Sequence, residues 1–92
     1  MYVRWTRAAY SDLENIADYL FDKAPEHAPR LVRELYNAPL SLEKFPNRGR
    51  KGRKPGTREL VLSSLPYIVV YEVRGESLFV VRILHSAQDW RG

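Results

Sequence analysis

Arg82 and His85 stand three residues apart in the apolar run VVRILHS near the end of the chain. A charge within a strand needs an explanation, because an unpaired charge is costly to bury. Arg58 begins a second strand-like run, RELVL. If the two strands are near neighbours, Arg58, Arg82 and His85 line one surface. Fixed cations favour the neutral form of a histidine, so the chemistry that this pattern indicates is proton abstraction by His85.

The positive charge of the chain is concentrated in residues 48–58. This window contains no acidic residue and six basic ones, namely Arg48, Arg50, Lys51, Arg53, Lys54 and Arg58. The other nine basic residues are outnumbered by 11 acidic ones, so the whole net charge of +4 comes from the window. Such a concentration is typical of a surface that binds a polyanion, either nucleic acid or an acidic protein partner. A solvated basic loop is the alternative.

Length and composition favour one globular domain over residues 1–92. Hydrophobic residues make up 45% of the chain and charged residues 28%, which is ordinary for such a domain. There is no apolar run near 18 residues and no apolar signal-peptide core at the start. With no cysteine and only two distant histidines, the sequence has no metal-ligand spacing. We therefore expect a cytoplasmic protein without a bound metal or cofactor.

The first half of the chain predicts a short strand followed by two helices. Residues 2–5 alternate weakly, and Thr6 is a suitable N-cap for a helix over residues 6–23. A second helix is predicted from about Pro25 to near Phe45. Pro39 interrupts it, but the apolar spacing continues past the proline, so we expect one kinked helix. The two helices would form an antiparallel hairpin.

The second half predicts an exposed loop and three strands. Residues 47–56, NRGRKGRKPG, contain three glycines and a proline, so no regular element is expected there. Strands are predicted over residues 58–62, 66–73 and 77–84, with a tight turn at Gly75. The order β-α-α-β-β-β indicates a small α+β domain, in which the helical hairpin covers one face of an antiparallel sheet.

Successive side chains of a strand point to opposite faces of its sheet, and this alternation decides which face Arg82 occupies. The helices can cover only one face, and no carboxylate partner for a buried Arg82 is evident. We therefore place Arg82 on the opposite, uncovered face, either solvated or paired with Glu59 or Glu72. The predicted core comprises Leu13, Ile16, Leu20, Leu31, Leu35, Phe79, Val81 and Ile83.

Four blocks carry a resemblance to a known family: WTRAAYSDLENIADYL, FPNRGRKGRKPGTREL, PYIVVYEV and VVRILHSAQDW. In this order and spacing they resemble toxins of the RelE/ParE superfamily, from bacterial type II toxin–antitoxin modules, over about residues 2–90. The resemblance implies the same α+β fold and two alternative activities. RelE-like members cut mRNA in the ribosomal A site, whereas ParE-like members poison DNA gyrase and cut nothing.

The resemblance also implies roles for individual residues. Arg58 and Arg82 match basic residues on the RelE-like sheet surface, Lys51 and Lys54 match loop lysines more loosely, and His85 lies where some members carry a cleavage residue. In metal-free RNA cleavage His85 would accept the proton of the attacking 2′-OH, while Arg58 and Arg82 would stabilise the phosphorane. The ending LHSAQDW is also similar to the LHxxxD ending of ParE-like members.

The expected function is therefore that of a toxin that inhibits translation by ribosome-dependent, metal-free cleavage of mRNA. The alternative is a ParE-like poison of DNA gyrase that cuts nothing. A cognate antitoxin is expected as partner, and its acidic segment would suit the basic window at Arg48, Arg50, Lys51, Arg53 and Lys54. The residues alone also allow a basic nucleic-acid-binding domain without toxicity.

Overall fold

A computed structural model describes residues 1–87 of the chain. Strand β1 (Tyr2–Trp5) is followed by helix α1 (Arg7–Lys23), helix α2 (Ala28–Asn37) and a 3₁₀ helix (Ala38–Leu42). The strands that follow are β2 (Arg50–Lys51), β3 (Arg58–Val61), β4 (Tyr67–Arg74) and β5 (Ser77–His85). The predicted α+β class and its order are confirmed. Gln88, Asp89 and Trp90 of the LHSAQDW ending lie outside the described residues.

The helical hairpin begins and bends where local chemistry requires. Thr6 is the N-cap of α1, and its Oγ1 accepts a hydrogen bond from Ala9 N at 3.1 Å. Helix α2 begins at Ala28, three residues later than Pro25, with Pro29 in its first turn. At Pro39 the chain tightens into the 3₁₀ helix, because proline cannot donate the next α-helical hydrogen bond. The single kinked helix predicted to end near Phe45 is therefore an α-helix followed by a 3₁₀ helix that ends at Leu42.

One five-stranded sheet has the order β1-β5-β4-β3-β2. The pairs β3–β4 and β4–β5 are antiparallel, as expected, and so is β2–β3. Gly75 takes a φ of 59° in the β4–β5 turn. Strand β1 instead runs parallel to β5, pairing Tyr2–Trp5 with Ser77–Val80. The short strand β2 lies within the window that was predicted to be an irregular loop, so that prediction was wrong for Arg50 and Lys51.

A β-bulge in β5 changes which residues face the helices. Val70 pairs with Arg82 and Tyr71 with Val80, which leaves Val81 as the extra residue. Before the bulge Leu78 and Val80 join the helix-side core, and after it Ile83 does so. The predicted facing was therefore right for Ile83 and wrong for Phe79 and Val81, because simple alternation does not count the extra residue.

The main core lies between the helices and one face of the sheet. Its buried members include Leu13 and Leu35, while Ile16 and Leu31 are partly buried against it. The strands contribute Leu60, Tyr67, Val69, Tyr71, Leu78, Val80 and Ile83. Leu20, which the sequence placed in the core, is only half-buried.

The opposite face of the sheet is not open, contrary to the expectation from sequence. Ile68, Val70 and Leu84 are buried there as a second cluster, with Val81 packed against it. Arg82 is paired in register with Val70, which is fully buried. Arg82 therefore lies beside an apolar cluster with its side chain 39% exposed, and its charge is stabilised by a local partner.

Membrane-spanning helices and clusters of metal-ligating side chains are both absent from residues 1–87. No helix within residues 1–87 is both long enough and apolar enough to cross a membrane. Over the same residues, no group of three or more His, Asp or Glu side chains is placed to hold a metal ion.

The hairpin core can be tested at Leu35, which is fully buried. We expect Leu35→Ala to lower the free energy of unfolding by about 2–5 kcal/mol, because it removes apolar contacts and leaves a cavity. Leu40→Ala is the matched control, since Leu40 is 48% exposed and should cost much less. Urea denaturation of both variants measures the difference. Equal losses would mean that Leu35 is not part of a packed interface.

Candidate functional site

The basic window folds into a braced hairpin, which we call the basic hairpin (residues 48–58). Gly52 N donates to the carbonyl oxygen of Thr57 at 2.8 Å, which closes the hairpin tip. The Thr57 hydroxyl and backbone N–H both donate to the Lys54 carbonyl oxygen, at 2.7 and 3.2 Å. The tip is thus ordered by its own hydrogen bonds. The predicted binding residues Arg48, Arg50, Lys51, Arg53 and Lys54 are all exposed on it.

A buried carboxylate lies beneath the basic hairpin. Glu59 is only 4% exposed, and its Oε1 accepts from Arg50 Nε at 3.1 Å and from Arg50 Nη2 at 2.9 Å. Its Oε2 accepts from the backbone N of Arg53 at 3.2 Å. Buried charge is tolerated when it is paired and hydrogen-bonded, as here. Glu59 therefore fixes the hairpin and is not the partner of Arg82.

Arg58 braces the entry to the basic hairpin. Its Nη1 donates to the carbonyl oxygens of Gly49 at 2.7 Å and Asn47 at 3.3 Å. The hydroxyl of Tyr71 donates to the Pro46 carbonyl oxygen at 2.7 Å and accepts from Gly49 N at 2.9 Å. A Cβ at Gly49 would lie 2.6 Å from the Tyr71 hydroxyl, so this close crossing requires glycine. The sequence signal for Tyr71 was a hydroxyl in a buried strand, which needs a partner.

The partner of Arg82 is Asp12, on α1. Arg82 Nε donates to Asp12 Oδ2 at 2.8 Å, and Arg82 Nη2 donates to Oδ1 at 3.0 Å, which is a two-pronged pair. Asp12 Oδ2 also accepts from the backbone N of Ile83 at 2.9 Å. The hydrogen bonds from Arg82 to Asp12 raise the pKa of Arg82 above its already high value, whereas burial lowers it. Arg82 is therefore permanently charged and cannot exchange a proton in catalysis.

His85 is exposed at the end of β5, and its acceptor nitrogen is engaged. His85 Nδ1 accepts from Ala87 N at 3.1 Å, and the ring stands edge-on to Tyr67 with centroids 5.7 Å apart. A neutral imidazole has only one acceptor nitrogen, so in this arrangement its other nitrogen carries the proton. Burial, and to a lesser extent Tyr19, raise the pKa of Tyr67, which stays neutral at physiological pH. Neither side chain is arranged as a ready base.

Two of the three candidate catalytic residues share one groove. Arg82 and His85 line a cavity of about 480 Å³ between α1 and the ends of β4 and β5. Its remaining lining is mainly apolar and aromatic: Ile16, Tyr19, Leu20, Leu31, Leu65, Pro66, Tyr67 and Ile83, with Asp12 and Asn15.

Arg58 lies away from that groove. It pairs with Tyr71, whereas His85 pairs with Tyr67 on the other side of β4. Four residues along one strand span about 13 Å. Arg58 and His85 are therefore far apart along the sheet, whereas Arg82 pairs with Val70, the neighbour of Tyr71.

Comparisons with known proteins agree with this fold. The family described as ParE toxin of type II toxin-antitoxin system, parDE, matches residues 3–90. The chain belongs to the ParE toxin family. Toxin RelE2 of Caulobacter vibrioides is 38% identical over 86 residues, which cover 94% of this chain and 96% of that protein.

Two solved structures are similar to this ParE-family chain. The chromosomal ParDE TA system from P. aeruginosa contains a chain that is 31% identical, with a TM-score of 0.85, covering 92% of this chain and 95% of that one. The intact E. coli RelBE toxin-antitoxin complex contains a chain with a TM-score of 0.66 at 14% identity, covering 95% and 98%. The second likeness shows a shared fold alone.

The role of Asp12 can be tested by mutation. We expect Asp12→Ala to lower the free energy of unfolding by about 1–3 kcal/mol, because Arg82 and the Ile83 N–H both lose their acceptor. Asp18→Ala, an exposed position on the same helix, is the matched control and should stay within about 0.5 kcal/mol. In an Arg82→Ala background the cost of Asp12→Ala should shrink without vanishing, since the Ile83 N–H still loses a partner. If Asp12→Ala behaves like Asp18→Ala in denaturation, the contact is not structural.

The brace at Tyr71 gives a second test. Tyr71→Phe removes both hydroxyl contacts at a fully buried position. We expect a loss of about 1–3 kcal/mol in unfolding free energy and faster hydrogen exchange at Gly49 N–H. Tyr10→Phe serves as the control, because Tyr10 is 51% exposed. Unchanged exchange at Gly49 would show that the basic hairpin does not depend on Tyr71.

Proposed function

We propose that this ParE-family protein is a toxin that inhibits DNA gyrase by binding and does not cut RNA itself. The observation that carries the proposal is the engagement of its three candidate catalytic residues. Arg58 is bonded to the hairpin backbone, Arg82 to Asp12, and the acceptor nitrogen of His85 to Ala87. A docking surface needs no free base, whereas RNA cleavage needs one close to its cations.

An antitoxin is proposed as the partner that neutralises the toxin. The support is the family, together with the ParDE and RelBE systems to which the chain is similar in structure. The mainly apolar groove that ends in the Asp12–Arg82 pair is a surface on which a partner segment could be buried. The exposed cations of the basic hairpin favour an acidic partner sequence in the encounter, through charge complementarity.

Ribosome-dependent mRNA cleavage is the second candidate. Two observations favour it: Arg82 and His85 line the same groove, and the 38% identical relative is named Toxin RelE2. In that case His85 would have to release Ala87 to accept the 2′-OH proton, and Arg82 would stabilise the phosphorane. RNA cleavage requires His85 as a base and gyrase inhibition does not, so the substitution His85→Gln distinguishes the two functions.

Two assays on purified protein separate the candidates. We expect the wild type to inhibit supercoiling of relaxed plasmid by gyrase and to leave gyrase–DNA adducts. We expect no cut in primer extension on an mRNA in a purified translation system with ribosomes. His85→Gln should inhibit gyrase as the wild type does, because no proton transfer is involved.

The opposite pattern contradicts the proposal. It would consist of ribosome-dependent cuts ending in a 2′,3′-cyclic phosphate, an unaffected gyrase, and an activity loss on the order of 10²-fold in His85→Gln.

A further inference from the structure

The exposed charge of the basic hairpin has one sign. Arg48, Lys51, Arg53 and Lys54 are exposed on it, and residues 48–58 contain no acid. Glu59, which follows the hairpin in sequence, is buried and paired with Arg50. A partner that approaches the hairpin therefore meets positively charged side chains. This selects a polyanion, and the remaining question is which kind.

The side chains of the hairpin favour a phosphodiester backbone over a protein. Between Asn47 and Thr57 the sequence RGRKGRKPG offers only Pro55 as an apolar side chain. Protein interfaces are anchored mainly by aromatic side chains and arginines, and residues 48–58 supply arginines but no aromatic side chain. Phosphates need only cations and N–H donors, which it has in abundance. Residues 46–61 also contain no aromatic side chain on which single-stranded bases could stack, and the exposed ring of Phe45 lies just before them. One ring beside a stretch of cations favours a duplex over a stacked single strand.

The bracing of the hairpin supports the same ligand. Three hydrogen bonds hold backbone atoms of the hairpin before any partner arrives: Tyr71 and Arg58 bond to Gly49, and Glu59 bonds to Arg53. Glu59 also accepts two hydrogen bonds from the Arg50 side chain. Fewer degrees of freedom are then lost on binding, which favours contact with a regular, rigid ligand such as duplex DNA. An acidic peptide that adapts to the toxin would not require a pre-formed hairpin.

We propose that the basic hairpin binds the phosphate backbone of duplex DNA. The inference deepens the proposed function, on which it rests, because a gyrase inhibitor acts on an enzyme that already holds DNA. In this account the hairpin contacts the DNA beside the enzyme, and Arg48, Lys51, Arg53 and Lys54 contact phosphates. RNA offers the same phosphodiester chemistry, so the experiment must separate the two nucleic acids.

The test is the salt dependence of binding, followed by fluorescence anisotropy with a labelled 20-bp duplex. Four phosphate contacts predict a slope of about −3.6 for log Kobs against log[KCl]. The variant R48Q/K51Q/R53Q/K54Q should lose at least about tenfold in affinity at 0.1 M KCl and most of that slope. The matched variant R7Q/K23Q/R30Q/R33Q removes four exposed charges from the helices and should keep the wild-type slope. Circular dichroism and thermal unfolding check that both variants fold.

Several results would overturn the inference. Equal losses in the two variants would mean that net charge alone drives binding. A single-stranded RNA of 20 nucleotides that binds more tightly than the duplex would assign the hairpin to RNA. If the hairpin variant loses binding to polyglutamate but not to the duplex, the hairpin is a peptide surface.

The gyrase assay separates this inference from the proposed function. Gyrase inhibition by the wild type, together with unchanged DNA binding by the hairpin variant, removes the hairpin inference and keeps the function. DNA binding that is lost in the hairpin variant, with no effect of the wild type on gyrase, keeps the DNA site and removes the function.

Discussion

The carboxylate of Asp12 holds the helical layer to the sheet at the point where the sheet would otherwise have a bare edge. Strand β1 covers β5 only as far as Val80, and the bulge at Val81 follows at once. Beyond the bulge, side chains at the N-cap and in the first turns of α1 bond to the backbone of β5. The Thr6 hydroxyl donates to the Val81 carbonyl oxygen at 3.2 Å, and Asp12 accepts from Ile83 N. Side chains of a helix thus satisfy backbone groups that a strand would otherwise pair. The same carboxylate fixes Arg82, so the position of this arginine is a consequence of how the edge is closed.

Much of the fold follows from local sequence chemistry. The apolar spacing predicted both helices, Thr6 marked the start of α1, and Pro39 marked the change of helix type. The bulge at Val81 could not be predicted from the sequence, because an apolar residue is equally common in a regular strand. One extra residue was enough to reverse the facing of Phe79 and Val81, since side chains alternate with a period of two.

The sequence pointed to the cations of residues 48–58 but not to the contacts that hold them. The irregular loop predicted there forms the basic hairpin, Asp12 and Arg82 are 70 residues apart in the chain, and Tyr71 reaches back to Pro46 and Gly49. No spacing rule links such residues, because the contacts exist only once the helices and sheet are packed. The expectation that Arg82 is solvated or paired with Glu59 or Glu72 was wrong for this reason, since its partner is Asp12.

The contacts of these side chains favour a toxin that inhibits its target by binding over a toxin that cuts RNA. Residues committed to holding a hairpin or an edge are poorly suited to proton transfer, whereas a binding protein benefits from their rigidity. Pulse labelling after induction tests this directly, by following thymidine and methionine incorporation with wild type and His85→Gln. The account predicts that DNA synthesis falls before protein synthesis, equally in both. An early fall in protein synthesis that His85→Gln abolishes would contradict it.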